Sequence, residues 1–225
     1  MNIALAHPRT WPVWDVFFPP LCSVCGERLE PAALLFCERC WVNAPASDTR
    51  DFRKLHHVDR LASGYRFGGP DVVREAVHSL KYGGVRPLAG MMAERLIPRL
   101  PIRFVEADLV WVEVPLHWRR HLARGFNQSR ELAACLAQAT GHDKPVSLLR
   151  RIRHTPTQTT RSVRERMANV KGAFALRSRV SIPKKVLLID DVITTGATMD
   201  ECARTLKDAG VEWVGALSFA LAHQS

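Results

Sequence analysis

The chain has 225 residues, 47% of them apolar and 8% aromatic, which suits one α/β domain plus a small appendage and excludes wholesale disorder. Its 32 Lys and Arg against 22 Asp and Glu give a formal charge of +10, pointing to an anionic partner such as substrate phosphates or nucleic acid. No run approaches the roughly 18 uninterrupted apolar residues of a membrane span, so membrane insertion is excluded and a soluble protein is expected.

The first twenty residues are apolar, but Pro8, Pro12, Pro19 and Pro20 break them and no basic segment leads them, so they do not read as a signal peptide. The expected compartment is therefore the reducing cytoplasm, where cysteines serve as ligands or buried thiols. Cys22, Cys25, Cys37 and Cys40 follow the pattern C-x2-C-x11-C-x2-C. Two such knuckles wrap opposite sides of a tetrahedral ion and leave no position open for water, the chemistry of structural zinc. Two disulfides or a redox pair are the alternatives that the spacing leaves. The polar stretch from Asn43 to His57 lacks an apolar period and reads as a linker. A zinc-ribbon-like module with its linker is thus expected over 1–50, and an α/β domain over 58–225.

From Leu61 strand and helix patterns alternate, the signature of a mainly parallel sheet flanked by helices. Asp71 caps a predicted helix through Tyr82, with Val73, Val77 and Leu80 on one face. A second helix is predicted over Leu88 to Leu96. A strand follows from Asp108 to Val114, stopped by Pro115, and a helix from Ser129 to Gln138 ends near Gly141. Val186 to Ile189 is apolar on both faces, as a central parallel strand requires. A helix then runs through Ala209 to Gly210, and Trp213 to Leu221 supplies a last buried strand.

The segment VLLIDDVITTGAT, Val186 to Thr198, resembles the phosphoribosyl pyrophosphate (PRPP) signature of type I phosphoribosyltransferases at each of its thirteen positions. Its chemistry is coherent. Asp190 and Asp191 follow a buried strand, where open α/β sheets bind ligands, and carboxylates there accept hydrogen bonds from ribose hydroxyls. The turn Thr194, Thr195, Gly196, Ala197 and Thr198 presents amides and hydroxyls at a helix N-terminus, which suits a 5-phosphate.

Two other segments extend the resemblance. Val112 to Arg120 occupies the place of the pyrophosphate loop, which implies roles for Leu116, His117, Arg119 and Arg120, joined by Arg124 and Asn127. Arg150 to Phe174 is strongly basic and resembles the flexible loop that closes over PRPP, with Gln158, Arg161, Arg164 and Arg166 in it. Together with the four-cysteine segment and HSLKYGG, which contains Lys81, these motifs resemble the ComF family of competence-associated, amidophosphoribosyltransferase-like proteins. The resemblance implies magnesium with PRPP, a connection to DNA uptake or use of external DNA, and single-stranded DNA and other competence proteins as candidate partners. It leaves two roles open, a phosphoribosyltransferase of unassigned acceptor and a non-catalytic PRPP-sensing or DNA-binding module.

Overall fold

Two apolar runs organise the fold. Val186, Leu187, Leu188 and Ile189 are fully buried, as are Val214, Ala216, Leu217, Phe219 and Ala220, so both segments must be covered on both faces. In the computed structural model, which describes residues 19–222 except Ala32, 50–54, Pro70 and 154–168, they are neighbouring strands at the centre of a parallel sheet. In chain order the elements are α1 (Glu38–Val42), β1 (Arg60–Phe67), α2 (Val72–Lys81), α3 (Leu88–Leu96), β2 (Val110–Glu113), α4 (Trp118–Arg124), α5 (Gln128–Thr140), β3 (Leu149–Arg151), β4 (Phe174–Leu176), β5 (Lys185–Ile193), α6 (Ala197–Asp208) and β6 (Trp213–Ala222). Two short 3-10 turns, Ile97–Arg99 and Ile102–Val105, lead from α3 towards β2.

The main sheet has the order β1-β6-β5-β2 with every pair parallel, and β3 and β4 form a separate antiparallel pair. Alternation along β5 divides the interior in two. Leu187 and Ile189 face a layer built from α2, α3, α5 and the cysteine module, while Val186 and Leu188 face α6 and the β3–β4 pair. Each fully buried Leu, Val or Phe contributes about 1.5–3 kcal/mol, so both layers are needed to hold so apolar a sheet.

Local signals set the helix ends. Asp71 Oδ1 accepts from the Arg74 N–H and starts α2, as the sequence predicts. Asn127 Oδ1 accepts from the Ser129 N–H and starts α5, which ends on Gly141 at φ +75°, in the left-handed region that Gly enters without strain.

Three expectations change. The stretch read as a loop after β2 folds as α4, capped by His117, whose ring accepts from the Arg119 N–H. The basic stretch from Arg150 is not polar throughout its structure: Arg151 enters β3, and Val170, Ala173 and Phe174 are buried under α6. The polar stretch before β1 is fastened at both described ends. Ala46 bridges to Tyr65, and both the backbone N–H and the ring of His57 bond Asp200 at 2.8 and 3.0 Å.

The cysteine module rests on the sheet through aromatic contacts. Trp41, 3% exposed, meets Phe36, Tyr65 and Phe219 at centroid separations of 5.9, 5.9 and 6.1 Å, and the Arg95 guanidinium lies 5.6 Å over its ring.

Candidate functional site

The topology places a crevice before any residue is considered. β2 and β5 are adjacent and parallel, yet α5 packs on one face of the sheet and α6 on the other. Chains leaving neighbouring strands towards opposite faces part at the carboxyl ends of those strands, where open α/β sheets bind ligands. β2 stops with Glu113 opposite Ile189, whereas β5 runs on to Ile193 paired with β6 alone. The strand is thus longer than its apolar run suggests, and Asp190 and Asp191 lie just where its β2 side opens.

The two acids have different surroundings. Asp190 Oδ1 accepts from Ser129 Oγ at 2.6 Å and from the Asp191 N–H at 2.9 Å. Burial and the neighbouring Asp191 charge push its carboxyl up to about 7. Asp191 is 2% exposed, with Lys81 Nζ 2.5 Å from Oδ2 and Gln128 Nε2 donating to Oδ1 at 3.1 Å. Burial drives Asp191 up, but the Lys81 ammonium overcomes it and holds the carboxyl below its ordinary range. The two carboxyls are therefore driven in opposite directions, Asp190 up and Asp191 down.

Immediately after β5, residues Asp190, Val192 and Ile193 with Thr194 to Met199 line a cleft of about 60 Å³. Gly196, at φ +77°, turns the backbone into α6, and a side chain there costs about 1–2 kcal/mol in backbone strain. The turn combines the N-terminal amides of a twelve-residue helix with threonine hydroxyls, which suits a phosphate.

A second cleft, about 460 Å³, is lined by Lys81, Tyr82, Gly84, Leu116, Arg120, Ala123, Arg124 and Gln128. Lys81 and Gln128 belong to both sites, since they also hold Asp191. Burial and the nearby Arg124 push the Arg120 guanidinium down from its usual range, an arrangement that an anion relieves. Of the predicted residues, Lys81, Leu116, Arg120 and Arg124 are thus brought together beside the acids. His117 and Asn127 are nearby but hold the backbone: His117 caps α4, and Asn127 caps α5 while donating to the Val114 carbonyl at 3.1 Å. Arg119 is exposed and stacks 5.3 Å from the Trp118 ring. Gln158, Arg161, Arg164 and Arg166 lie outside the described residues. Gln128, Ser129 and Tyr82 were not singled out from sequence. Their signal was adjacency to Asn127 and Lys81, which spacing alone does not connect to residues 190 and 191.

The four cysteines meet as predicted. Their Sγ atoms all lie within 4.8 Å of one another, with Cys25–Cys37 at 3.5 Å and Cys22–Cys40 at 3.8 Å. A tetrahedral zinc with Zn–S bonds of about 2.3 Å needs S–S edges of about 3.8 Å, so the donor set fits that ion. All four cysteines are free thiols here. The Glu27 amide, against opposing desolvation and with help from Arg39, draws Cys25 down to about 6, whereas burial and the other three thiols push Cys40 well up. A dication relieves that crowding by stabilising all four as thiolates.

A parallel sheet of this order, with paired acids and a phosphate-type turn at the end of β5, defines a phosphoribosyltransferase-type domain. The phosphoribosyl transferase domain family matches residues 121–225. More of the chain is covered by whole relatives. It is 32% identical to the DNA utilization protein YhgH of Salmonella typhimurium over 221 residues, 95% of this chain and 91% of that one. Competence protein ComFC of Streptococcus pneumoniae is 36% identical over 200 residues, covering 88% and 86% of the two chains. Competence protein F of Haemophilus influenzae is 29% identical over 202 residues, covering 86% and 81%. The chain belongs to the ComF family. Among the described residues no helix is long and apolar enough to cross a membrane.

Proposed function

We propose that this chain is a cytoplasmic PRPP-binding, phosphoribosyltransferase-like protein that acts in DNA uptake or the use of external DNA. The cellular part rests on the printed names of its relatives. The chemical part is carried by the acid pair, set between a phosphate-type turn and a cleft that holds Lys81, Arg120 and Arg124.

In this reading Asp190 and Asp191 orient the ribose hydroxyls and Thr194 to Thr198 hold the 5-phosphate. The diphosphate takes the larger cleft, with Arg120, Arg124 and Lys81 in place of the Arg119–Arg120 pair expected from sequence. Leu116 lines that cleft, while His117 and Asn127 fix its shape. Magnesium supplied with PRPP would neutralise the charge of the diphosphate, beside the cleft that Lys81, Arg120 and Arg124 line. Zinc, held by Cys22, Cys25, Cys37 and Cys40, braces the N-terminal module. Binding of PRPP is read by calorimetry with magnesium, and transfer by pyrophosphate release with a panel of amines and nucleobases. Loss of both in Asp190→Asn/Asp191→Asn supports a transferase. Tight binding without turnover on any acceptor supports a sensor, and no binding by the wild type refutes the reading.

A second reading, contact with single-stranded DNA, is favoured by two cation–aromatic pairs that involve α4: Arg119 over Trp118, and Arg124 over Tyr82, each at 5.3 Å. Both rings are exposed, at 58% and 70%. Stacking rings interleaved with cations are the elements of sequence-tolerant strand binding, whose affinity falls steeply with salt. Equal oligonucleotide affinity in wild type and Trp118→Ala/Tyr82→Ala would remove this reading.

A further inference from the structure

α6 starts on Gly196, which has no side chain to cap it. Its first amides are thereby left for a ligand, and the turn that carries them must be fixed from elsewhere. Asp200 supplies that hold. Its N–H donates to the Gly196 carbonyl at 2.8 Å, closing the first backbone turn of α6, and it follows Met199, where the lining of the small cleft ends. Asp200 is 7% exposed, and a carboxylate buried that far needs donors. His57 brings two groups to it: the backbone N–H donates to Oδ1 at 2.8 Å, and ring Nδ1 lies 3.0 Å from Oδ2. The next acid, Glu201, is engaged elsewhere, by the Gly172 N–H at 2.6 Å and by Arg204 at 2.7 Å.

His57 is itself held in place. Leu55 and Val58, which flank it, pack against the apolar layer that contains α6. Asp59 then locks the segment to β6: its N–H donates to the Val214 carbonyl at 2.8 Å, while its Oδ2 accepts from the Val214 N–H and from Lys207 Nζ, each at 2.7 Å. Residues 55–59 thus form a strap over α6 and β6. We infer that His57 is a positioning residue for the phosphate-type turn: through Asp200 it fixes the first turn of α6, and with it the amides that follow Thr194, in the orientation that receives a phosphate. A turn ordered before its ligand arrives binds that ligand with less loss of entropy. The effect on affinity rests on reading the turn as a phosphate site, whereas the grip of His57 on the turn does not.

The test has a ligand-free arm and a ligand arm, both on the full, zinc-loaded chain. In the first, amide hydrogen exchange is followed by NMR. The His57 and Asp200 N–H groups of wild type are expected to open together, as one local unit. His57→Ala should speed exchange at Asp200 by about tenfold more than at Val77, which lies on α2 in the other apolar layer. In the second arm, inorganic phosphate and ribose 5-phosphate are titrated by calorimetry. His57→Ala should weaken both about tenfold, and adding it to Asp200→Ala should weaken them no further, because the two residues act as one pair. His57→Asn, whose amide nitrogen replaces Nδ1, should return affinity to within about threefold of wild type, a rescue that general destabilisation does not give. Equal affinities in wild type and folded His57→Ala overturn the assignment. So does wild-type exchange much faster at His57 than at Asp200, a result that decides even where His57→Ala does not fold. If wild type binds neither probe, the phosphate reading of the turn fails, and the exchange arm still judges the grip of His57.

Discussion

Replacing Asp190 by Asn is expected to stabilise the protein while removing its ligand chemistry. The asparagine keeps an Oδ1 that accepts from Ser129 Oγ and the Asp191 N–H, so both hydrogen bonds survive and only the charge is lost. Burial and Asp191 raise the carboxyl from 3.8 to about 7. Below pH 3.8 it is protonated whether the chain is folded or not. Between 3.8 and 7 the unfolded chain releases the proton while the folded chain keeps it, so wild-type stability falls as pH rises. Above 7 both forms are ionised and the penalty is constant. A tenfold change in protonation equilibrium is worth about 1.4 kcal/mol, which sets a ceiling of about 4 kcal/mol on the gain at pH 8. Urea unfolding of wild type and Asp190→Asn at pH 5, 6, 7 and 8, with zinc retained, measures it. The difference should widen with pH and level off above 7. A variant less stable than wild type at pH 8, or a difference independent of pH, would refute the reasoning. Stability gained where binding is lost is the usual sign of a strained functional group.

Four other outcomes follow from the geometry. Arg120→Ala and Arg124→Ala should each weaken PRPP binding by about 1.5–3 kcal/mol, the range of a charged hydrogen bond, while Arg119→Ala leaves calorimetric affinity unchanged. Gly196→Ala should lose about 1–2 kcal/mol of stability from its left-handed backbone and bind PRPP more weakly, measured by urea midpoint and calorimetry. Trp41→Ala empties the contact between the cysteine module and the sheet and should cost about 3–5 kcal/mol in denaturant unfolding. Atomic absorption should find about one zinc per chain in protein prepared under reducing conditions, and its removal by chelator, or Cys22→Ser, should lower the melting temperature.

The parts of the site legible in sequence are those made by neighbouring residues. Val186 to Ile189 had to be a buried strand because apolar side chains fall on both faces, and the two acids and the Gly196 turn follow it directly. The four-cysteine cluster was equally legible, since metal geometry dictates the spacing. The role of Lys81 was not, because its partner is 110 positions away (191 minus 81) and no local pattern records that distance. α4 was missed because Trp118 to Arg124 has no fully buried side chain and so shows no apolar period, while its cap is a histidine, outside the usual Ser, Thr, Asp and Asn. Arg151 misled in the other direction. Its charge argued for an exposed loop, but its guanidinium lies 5.2 Å over the Phe174 ring.

β6 is the second strand of the sheet in space and the last described element in sequence. Among the described residues β1, formed about 150 residues earlier, has β6 as its only strand partner in the main sheet, and Phe219 on β6 is one wall of the pocket that receives Trp41. During synthesis, therefore, neither β1 nor the aromatic seat of the cysteine module can be completed until residues 213–222 have cleared the ribosome. Until then the nascent chain carries an unpaired β1 edge and an unseated tryptophan.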